Sequence, residues 1–567
     1  MKKIPIGRSD FKVLMENDEY YIDKTNHIEE FFKTDGSIVL MPRPRRFGKT
    51  LFLTTLKYFF SNQEKKEHLF KSTYIYNRDF FKNHFGKYPV IYLTFKDIRE
   101  LNYDLMIEKI KGAIRVEIRR LLDSINVEEI ENEIEYKVYL ENILKDQATL
   151  ADYENSLKAL SVLLTKYYNT PCIVLIDEYD TPIQTAYLEN YYDKAINFFR
   201  NLFTAVFKDN DLYVKKALIT GILKISKESM FSGLNNLRNL TILEDELSTA
   251  CGFTKDETIR LMQEYKIEKE LQEKAIKMYN GYIFGKDTLI FNPWSILNFV
   301  VEKKFKAYWA NTSSNDFIKF LIGKSKDFRT NLEKLLKNES IEIQINENLS
   351  FRDGELYQKD NLFSFLFFSG YLKCKEKYYK KTYIPLLDGF RDDLYCKLMP
   401  TNIECSMIFR DVISSYVTDS FNNENIEEIL KALVNGEIKL FEKLFSYLLR
   451  DSVSYFDTKN ENSYHMFLLG VLTNLSYEYE IISNSEAGYG RVDIILLHKT
   501  DKEKPAIVME LKAIDEFEEE DKDDALNKAI EQIKKQSYIS LVKKRGYNNI
   551  LAFGLVFDGK RCWVKRI

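Results

Sequence analysis

Two stretches of this chain bring together residue types whose chemistry suits phosphate. The first is Gly48-Lys49-Thr50, which ends the loop Pro42-Arg43-Pro44-Arg45-Arg46-Phe47 behind the apolar run Ile38 to Met41. A strand running into a loop that ends Gly-Lys-Thr at the head of a helix turns main-chain amides and the positive end of the helix dipole toward an anion. In that geometry Lys49 reaches the β and γ phosphates of ATP, Thr50 offers its hydroxyl to Mg2+, and Gly48 lets backbone approach phosphate without a Cβ in the way. Arg43, Arg45 and Arg46 crowd the loop, and their guanidinium forks suit phosphate oxygens or carboxylates equally. The pattern GxxxxGK[ST] asks for glycine where Arg43 stands. Taken alone, Gly-Lys-Thr is as well explained by chance or a helix cap.

The run Cys172 to Ile176 ends in Asp177-Glu178, which sets one carboxylate behind the Mg2+ ligands and the next beside an attacking water. A solvated strand end is the bland alternative, weakened by the loop upstream. Thr220 closes the apolar run KALIT and stands where a γ phosphate would be sensed, although an ordinary strand-to-loop threonine explains it equally.

The second stretch lies near the C-terminus, with Asp493 in GRVDIILL and Glu510-Leu511-Lys512 in IVMELKAI. Strand alternation points Glu510 and Lys512 to one face, and an antiparallel neighbour places Asp493 opposite them. Two carboxylates with a lysine are the parts of Mg2+-assisted phosphodiester hydrolysis. Asp493 and Glu510 hold the ion, the ion acidifies a water, and Lys512 orients that water or offsets developing charge. By spacing alone, a solvated strand of alternating charge is the competing reading.

The elements that must position these residues follow from hydrophobic pattern. Apolar runs at 38–41, 90–95, 172–177 and 213–221 are separated by segments of helical spacing, which predicts a parallel sheet in one α/β domain over residues 1–240. Residues 241–290 read as a helical lid, with Thr254 and Glu257 forming a capping box. Residues 291–450 read as a mixed, mostly helical middle region without a recognisable fold. Residues 451–567 follow the order helix, three strands, helix, strand, which describes a separate α/β domain. The expected fold class is α/β multidomain.

Composition agrees with several cores. A chain of 567 residues with 45% hydrophobic and 14% aromatic residues has ample apolar area to bury. With 83 Lys+Arg against 86 Asp+Glu the net charge is -3, so any polyanion must meet a local patch. The six cysteines include no CxxC pair and the five histidines no HExxH, so neither a disulfide framework nor a zinc site is expected. The longest apolar stretch, Leu362 to Leu372, is broken by polar residues and falls short of the roughly 18–20 residues that cross a bilayer. A soluble, cytoplasmic protein that does not engage membranes is the expectation.

Four blocks in order, YYIDKT (20–25), LMPRPRRFGKTLF (40–52), VLIDEYDTPI (174–183) and ALITGILKISKESMFSGLNNL (217–237), resemble the bacterial AAA-ATPase-like family that is commonly fused to a C-terminal PD-(D/E)XK nuclease-like domain. GFTKDE (252–257), YNGYIFG (279–285), YWANTSSN (308–315) and SGYLK (369–373) extend the resemblance over most of the chain. It implies that RPRRFGKT occupies the phosphate-loop position despite Arg43, with an N-terminal P-loop NTPase fold and a C-terminal restriction-endonuclease-like fold. It also implies that Glu461, opening the helix ENSYHMFLLG, is an accessory metal ligand. Gln532, on the helix with QI and followed by Tyr538, becomes a residue that positions substrate or lysine.

The combined expectation is an ATP-binding, ATP-hydrolysing domain joined to a Mg2+-dependent nuclease that meets nucleic acid, DNA in the first instance, through its phosphate backbone. Defence against foreign DNA is a setting such fusions suit. The alternative is a nucleotide-dependent regulatory or interaction switch that cleaves nothing. His465 reads as a surface or packing histidine, the acidic run Asp515 to Asp524 as a solvated loop, and Lys534, Lys535, Lys543, Lys544, Arg545, Lys560, Arg561, Lys565 and Arg566 as a backbone track or merely a solvated face.

Overall fold

The computed structural model describes the chain except for residues 126–133, 225–229, 232–233, 235, 310–330, 332–333, 336–338, 350–357, 385–388, 410–422, 452–460, 476–477, 488–489, 515–520 and 536–537. It packs as two units, Met1–Asn311 with Glu342–Cys405, and Thr312–Ile341 with Ser406–Ile567.

The first unit is built on five parallel strands, β1 (Ile38–Pro42), β2 (Val90–Thr94), β3 (Cys172–Asp177), β4 (Val214–Gly221) and β5 (Leu237–Asn239), in the order β2-β3-β4-β1-β5. Every residue of β1 and β3 is buried. That explains their unbroken apolar runs, since a parallel sheet is covered by helices on both faces. Each large side chain so buried contributes about 1.5–3 kcal/mol. The helix Lys49–Phe60 follows β1 directly and buries Phe52, Leu53, Leu56, Phe59 and Phe60. β4 lies between β1 and β3, so the strand that feeds the loop and the strand that ends in Asp177 flank Thr220.

The region read as a helical lid holds two helices, Lys255–Glu264 and Lys269–Tyr279. It also holds a small antiparallel sheet of β6 (Phe253–Thr254), β7 (Tyr282–Phe284) and β8 (Thr288–Phe291). The capping box of Thr254 and Glu257 is present in full. Farther on, β9 (Ile341–Gln344) joins a long antiparallel ribbon, β10 (Leu372–Ile384) with β11 (Gly389–Pro400), in a region read as mostly helical.

The C-terminal sheet runs β12 (Tyr479–Ala487), β13 (Gly490–His498), β14 (Ala506–Ala513), β15 (Ile550–Asp558) and β16 (Arg561–Arg566) in sequence order, antiparallel except for the parallel pair β14–β15. The helices Lys522–Lys535 and Tyr538–Lys544 supply Ile533, Tyr538 and Val542 to the core that contains Ile495 and Val508. β16 is an addition to the expected order. Its single buried residue, Cys562, leaves no apolar pattern to read.

Candidate nucleotide and metal sites

At the C-terminal ends of β1, β3 and β4 the expected phosphate-site residues meet. Thr50 donates its hydroxyl to Asp177 Oδ2 at 2.6 Å, and Thr220 donates to Asp177 Oδ1 at 2.8 Å. Register explains the second bond: Ile176 pairs with Ile219, and Thr220 in turn pairs with Met41 at the head of the loop. Burial pushes the Asp177 carboxyl up from its ordinary range and Glu178 adds to the shift, while Thr50, Thr220 and Lys49 oppose it. Gly48 caps the helix at φ 88°, a left-handed conformation, and a Cβ built there meets nothing within 4 Å. The first amides of the helix therefore open on accessible space, where an anion is favoured.

Lys49 is buried, and its ammonium donates to the carbonyls of Arg43 and Pro44, both at 3.0 Å. Glu178 follows Asp177 at φ 48° and Arg46 lies within the loop at φ 66°. Non-glycine residues in this region cost about 1–3 kcal/mol each and gather where a fixed geometry is required. Thr181 donates to Glu178 Oε2 at 3.3 Å, which helps orient the carboxylate.

The three arginines part company. Arg45 is half-buried, with Gln184 Oε1 at 3.5 Å, and Arg46 is exposed with its guanidinium 4.4 Å over the Trp294 ring. Arg43 does not face the loop's open side. It is fully buried and donates to the carbonyls of Pro42 (2.9 Å), Leu240 (2.6 Å) and Leu247 (3.1 Å), with its guanidinium 5.4 Å from the Phe284 ring centre. Burial pushes its pKa down to about 10. The fork that suits phosphate oxygens is occupied by main-chain oxygens, so Arg43 serves as a pin in the packing of the loop.

That pin is one of several. Phe47 packs its ring against Tyr282 (4.8 Å) and Phe284 (5.6 Å), its carbonyl accepts from Gly252 N at 2.8 Å, and a Cβ on Gly370 would come within 2.9 Å of Pro44. The blocks GFTKDE, YNGYIFG and SGYLK, remote in sequence, thus wrap the phosphate loop. Asp180, which motif reasoning left without a role, is buried and accepts at Oδ2 from Gln184 Nε2 (2.8 Å) and the amides of Ile222 (2.9 Å) and Leu223 (3.0 Å). Tyr179 donates to Leu223 O at 2.7 Å. Together they latch the turn after β3 to the end of β4. The only sequence signal for this was a second aspartate three positions after Asp177.

In the C-terminal sheet, β13 and β14 pair Ile494 with Met509, and one further step of that register sets Asp493 opposite Glu510. Asp493 Oδ2 accepts from Leu511 N at 2.8 Å, between the two residues it was expected to join. Glu510 is fully buried, and Lys512 Nζ lies 3.5 Å from its Oε1, on the same face. The helical side of that face brings Tyr538, whose hydroxyl meets Gln532; burial and then Glu510 push its pKa up to about 12, with a smaller push from Asp493. Gln532 therefore stands at the carboxylate pair by way of Tyr538. The side chain of Glu461 lies outside the described residues, although Glu461 does open the helix Glu461–Leu472.

His465 is a buried packing residue with Nε2 3.2 Å from the Asp493 carbonyl. Of the acidic run, residues 515–520 lie outside the described residues. Asp523 and Asp524 fall in the first turn of the helix Lys522–Lys535, where negative charge favours the dipole. Lys534, Lys535, Lys543, Lys544, Arg545, Lys560, Arg561, Lys565 and Arg566 are all exposed, but Lys560 donates to Arg450 O at 3.2 Å and Lys565 to Asn527 at 2.8 Å.

Both donor sets fit a hard divalent ion. Mg2+ takes one or two carboxylates and keeps waters and phosphate oxygens for the rest of its shell. Asp493 with Glu510 offers such a pair, and Thr50 with Asp177 offers a hydroxyl backed by an acid. Among the described residues no group of three or more His, Cys, Asp and Glu side chains forms a closed metal cage, and no helix is long and apolar enough to cross a membrane.

Residues 5–231 match the family described as a predicted AAA-ATPase, and residues 459–567 match the PD-(D/E)XK nuclease superfamily. A curated protein of Azotobacter chroococcum mcd 1, described as an uncharacterized protein in the vnfD 5' region, is 28% identical over 348 residues, 60% of either chain. This chain thus spans three fifths of that relative's length. The loop at Lys49 thus falls within the match to the predicted AAA-ATPase family, and the mixed sheet with its acids at Asp493 and Glu510 falls within the match to the PD-(D/E)XK nuclease superfamily.

Proposed function

We propose that the N-terminal domain binds and hydrolyses ATP with Mg2+, and that the C-terminal domain cleaves phosphodiester bonds of nucleic acid, DNA in the first instance, in a Mg2+-dependent reaction. The observation that carries the nuclease reading is the shared face of Asp493, Glu510 and Lys512 with Gln532 and Tyr538 beside it. Bound Mg2+ would lower the pKa of a water ligand and offset charge on the scissile phosphate. Asp493 and Glu510 would hold that ion, and Lys512, with its head partly in solvent, would orient the nucleophile. Lys534, Lys535, Lys543, Lys544 and Arg545, at or just beyond the ends of two helices, would follow the phosphate backbone without reading bases.

At the phosphate loop, Lys49 would exchange the carbonyls of Arg43 and Pro44 for the β and γ phosphates. Thr50 and Asp177 would hold the ion, Arg45 and Arg46 would meet the outer phosphate oxygens, Thr220 would sense the γ phosphate, and Glu178 would take the proton of the attacking water. A cytoplasmic setting and a role in defence against foreign DNA fit this pairing of activities. ATP gates the nuclease only if it discriminates between two arrangements of the chain.

The alternative, a nucleotide-dependent switch without cleavage, is favoured by one feature, the hold of Lys49 on its own loop, which ATP must release. Plasmid and oligonucleotide cleavage with Mg2+, with and without ATP, by wild type and Asp493→Ala, tests the proposal. Mg2+-dependent cleavage lost in the variant supports it, and no cleavage by wild type under any condition decides for the switch.

A further inference from the structure

The ribbon β10–β11 extends past the point where β9 meets it near Leu394, and its far half carries a row of exposed rings. Tyr379 pairs with Leu394, Lys381 with Asp392 and Tyr383 with Phe390, so these alternate residues share one face. Tyr379 and Phe390 are each 68% exposed and Tyr383 50% exposed, and the rings of Tyr383 and Phe390 lie 5.5 Å apart. Scattered single exposed apolar side chains need no explanation, but three aromatic rings on one face of a two-stranded ribbon do. The two strands carry seven Lys and Arg against three acids. Lys380, Arg391 and Lys397 are paired with Glu342, Asp393 and Glu376, while Lys375, Lys377 and Lys381 are exposed along the ring-bearing strand, Lys377 with its ammonium 3.3 Å from the Gly285 carbonyl.

Exposed rings set among surplus lysines match a ligand that offers flat π faces and a phosphate for each of them. We propose that this ribbon face is a stacking platform for single-stranded nucleic acid, an inference that rests on the reading of the chain as one that acts on nucleic acid. Unstacked bases lie on Tyr379, Tyr383 and Phe390, and the backbone runs past Lys377 and Lys381. Stacking of this kind tolerates sequence, because every base has a π face. It excludes a duplex, whose bases are already stacked. Tyr379 and Tyr383 are four residues apart on one strand, about 13 Å, which spaces the rings along an extended strand.

The test is fluorescence anisotropy of a labelled 20-nucleotide deoxythymidine strand with the full chain in EDTA and without ATP, so that neither cleavage nor nucleotide enters. Tyr379→Ala with Phe390→Ala is expected to weaken binding by about tenfold or more. Tyr379→Phe with Phe390→Tyr is expected to keep it, and Lys381→Gln to lower the salt slope by about 0.7. Both ring sites are solvent-exposed, so an unchanged melting curve is the expected control. Three results would overturn the proposal: no binding by wild type, equal binding by the double alanine variant, or equal competition by duplex DNA. A change in oligomeric state in the alanine variant with unchanged affinity for the strand would assign the face to a second copy of the chain instead. Failure of the nuclease reading shows separately, as absent cleavage in Mg2+ with binding in EDTA intact.

Discussion

Around Lys49 the supporting contacts come from Leu240, Leu247, Gly252, Tyr282, Phe284 and Gly370, far downstream of the loop. Around Glu510 they come from His465, Asp493, Leu511, Gln532 and Tyr538, all in the same small sheet domain. The first site is a contiguous motif held by distant packing. The second is a dispersed set held by local register. An error in either support breaks a different thing: in the first the loop loses its shape, in the second the acids lose their common face.

On the proposed reading the largest effects should fall on Asp493, Lys49 and Glu178. Asp493→Ala removes half of the carboxylate pair, and loss of metal stabilisation worth several kcal/mol should lower cleavage by about 10³-fold or more in a Mg2+ assay. A fall of less than tenfold would detach Asp493 from the metal. Lys49→Ala should abolish binding of a labelled ATP analogue while leaving cleavage-site residues in place. Should nucleotide affinity survive, the bond pattern around Lys49 is structural only. Glu178→Gln should retain ATP binding and slow turnover by about 10²–10⁴-fold, the range of general-base catalysis; unchanged turnover would remove Glu178 from that role.

Smaller effects separate the supports from the sites. Arg43→Lys retains charge but loses the planar fork, which leaves one or two buried carbonyls without a donor and should cost about 1–3 kcal/mol. Calorimetry of the first unit should show the loss without added nucleotide, and an unchanged melting curve would contradict the pin. Glu404 gives the most pH-dependent signal. It is buried, accepts from Ser295 at 2.8 and 3.0 Å and from Trp309 N at 2.8 Å, and burial raises its pKa from 4.5 to about 7. Because the folded value is the higher one, its contribution is full below about pH 4.5 and is lost as pH rises through about 7. Glu404→Gln should therefore gain on wild type in unfolding free energy, read from melting curves, as pH climbs across that window, by at most about 3 kcal/mol. A difference that stays flat with pH would place the titration elsewhere.

Sequence legibility followed the same division. The meeting of Thr50, Asp177 and Thr220 was legible because the loop is contiguous and the strands behind it end in mostly apolar runs. Glu510 and Lys512 followed from alternation, and Asp493 from a neighbour whose existence pattern could suggest. Arg43 was misread because its acceptors, Leu240 O and Leu247 O, are main-chain groups that no side-chain pattern advertises. The ribbon β10–β11 was missed because its outer half has two solvated faces, so KEKYYKKTY shows no apolar period. β16 escaped for a like reason, and Asp180 because its partners are amides beyond β4.

The burial of Arg43 has a thermodynamic corollary. A loop clamped by segments as remote as Leu247 and Gly370 is ordered by the packing of its own unit, so the entropy of ordering it is spent during folding. Whatever occupies the loop must then stabilise those remote segments by mass action, RT ln(1 + [L]/Kd). Concentration of a loop ligand and melting of the segments around Leu247 and Gly370 become two readings of a single equilibrium, and a chain ended after Asn239 would sever them.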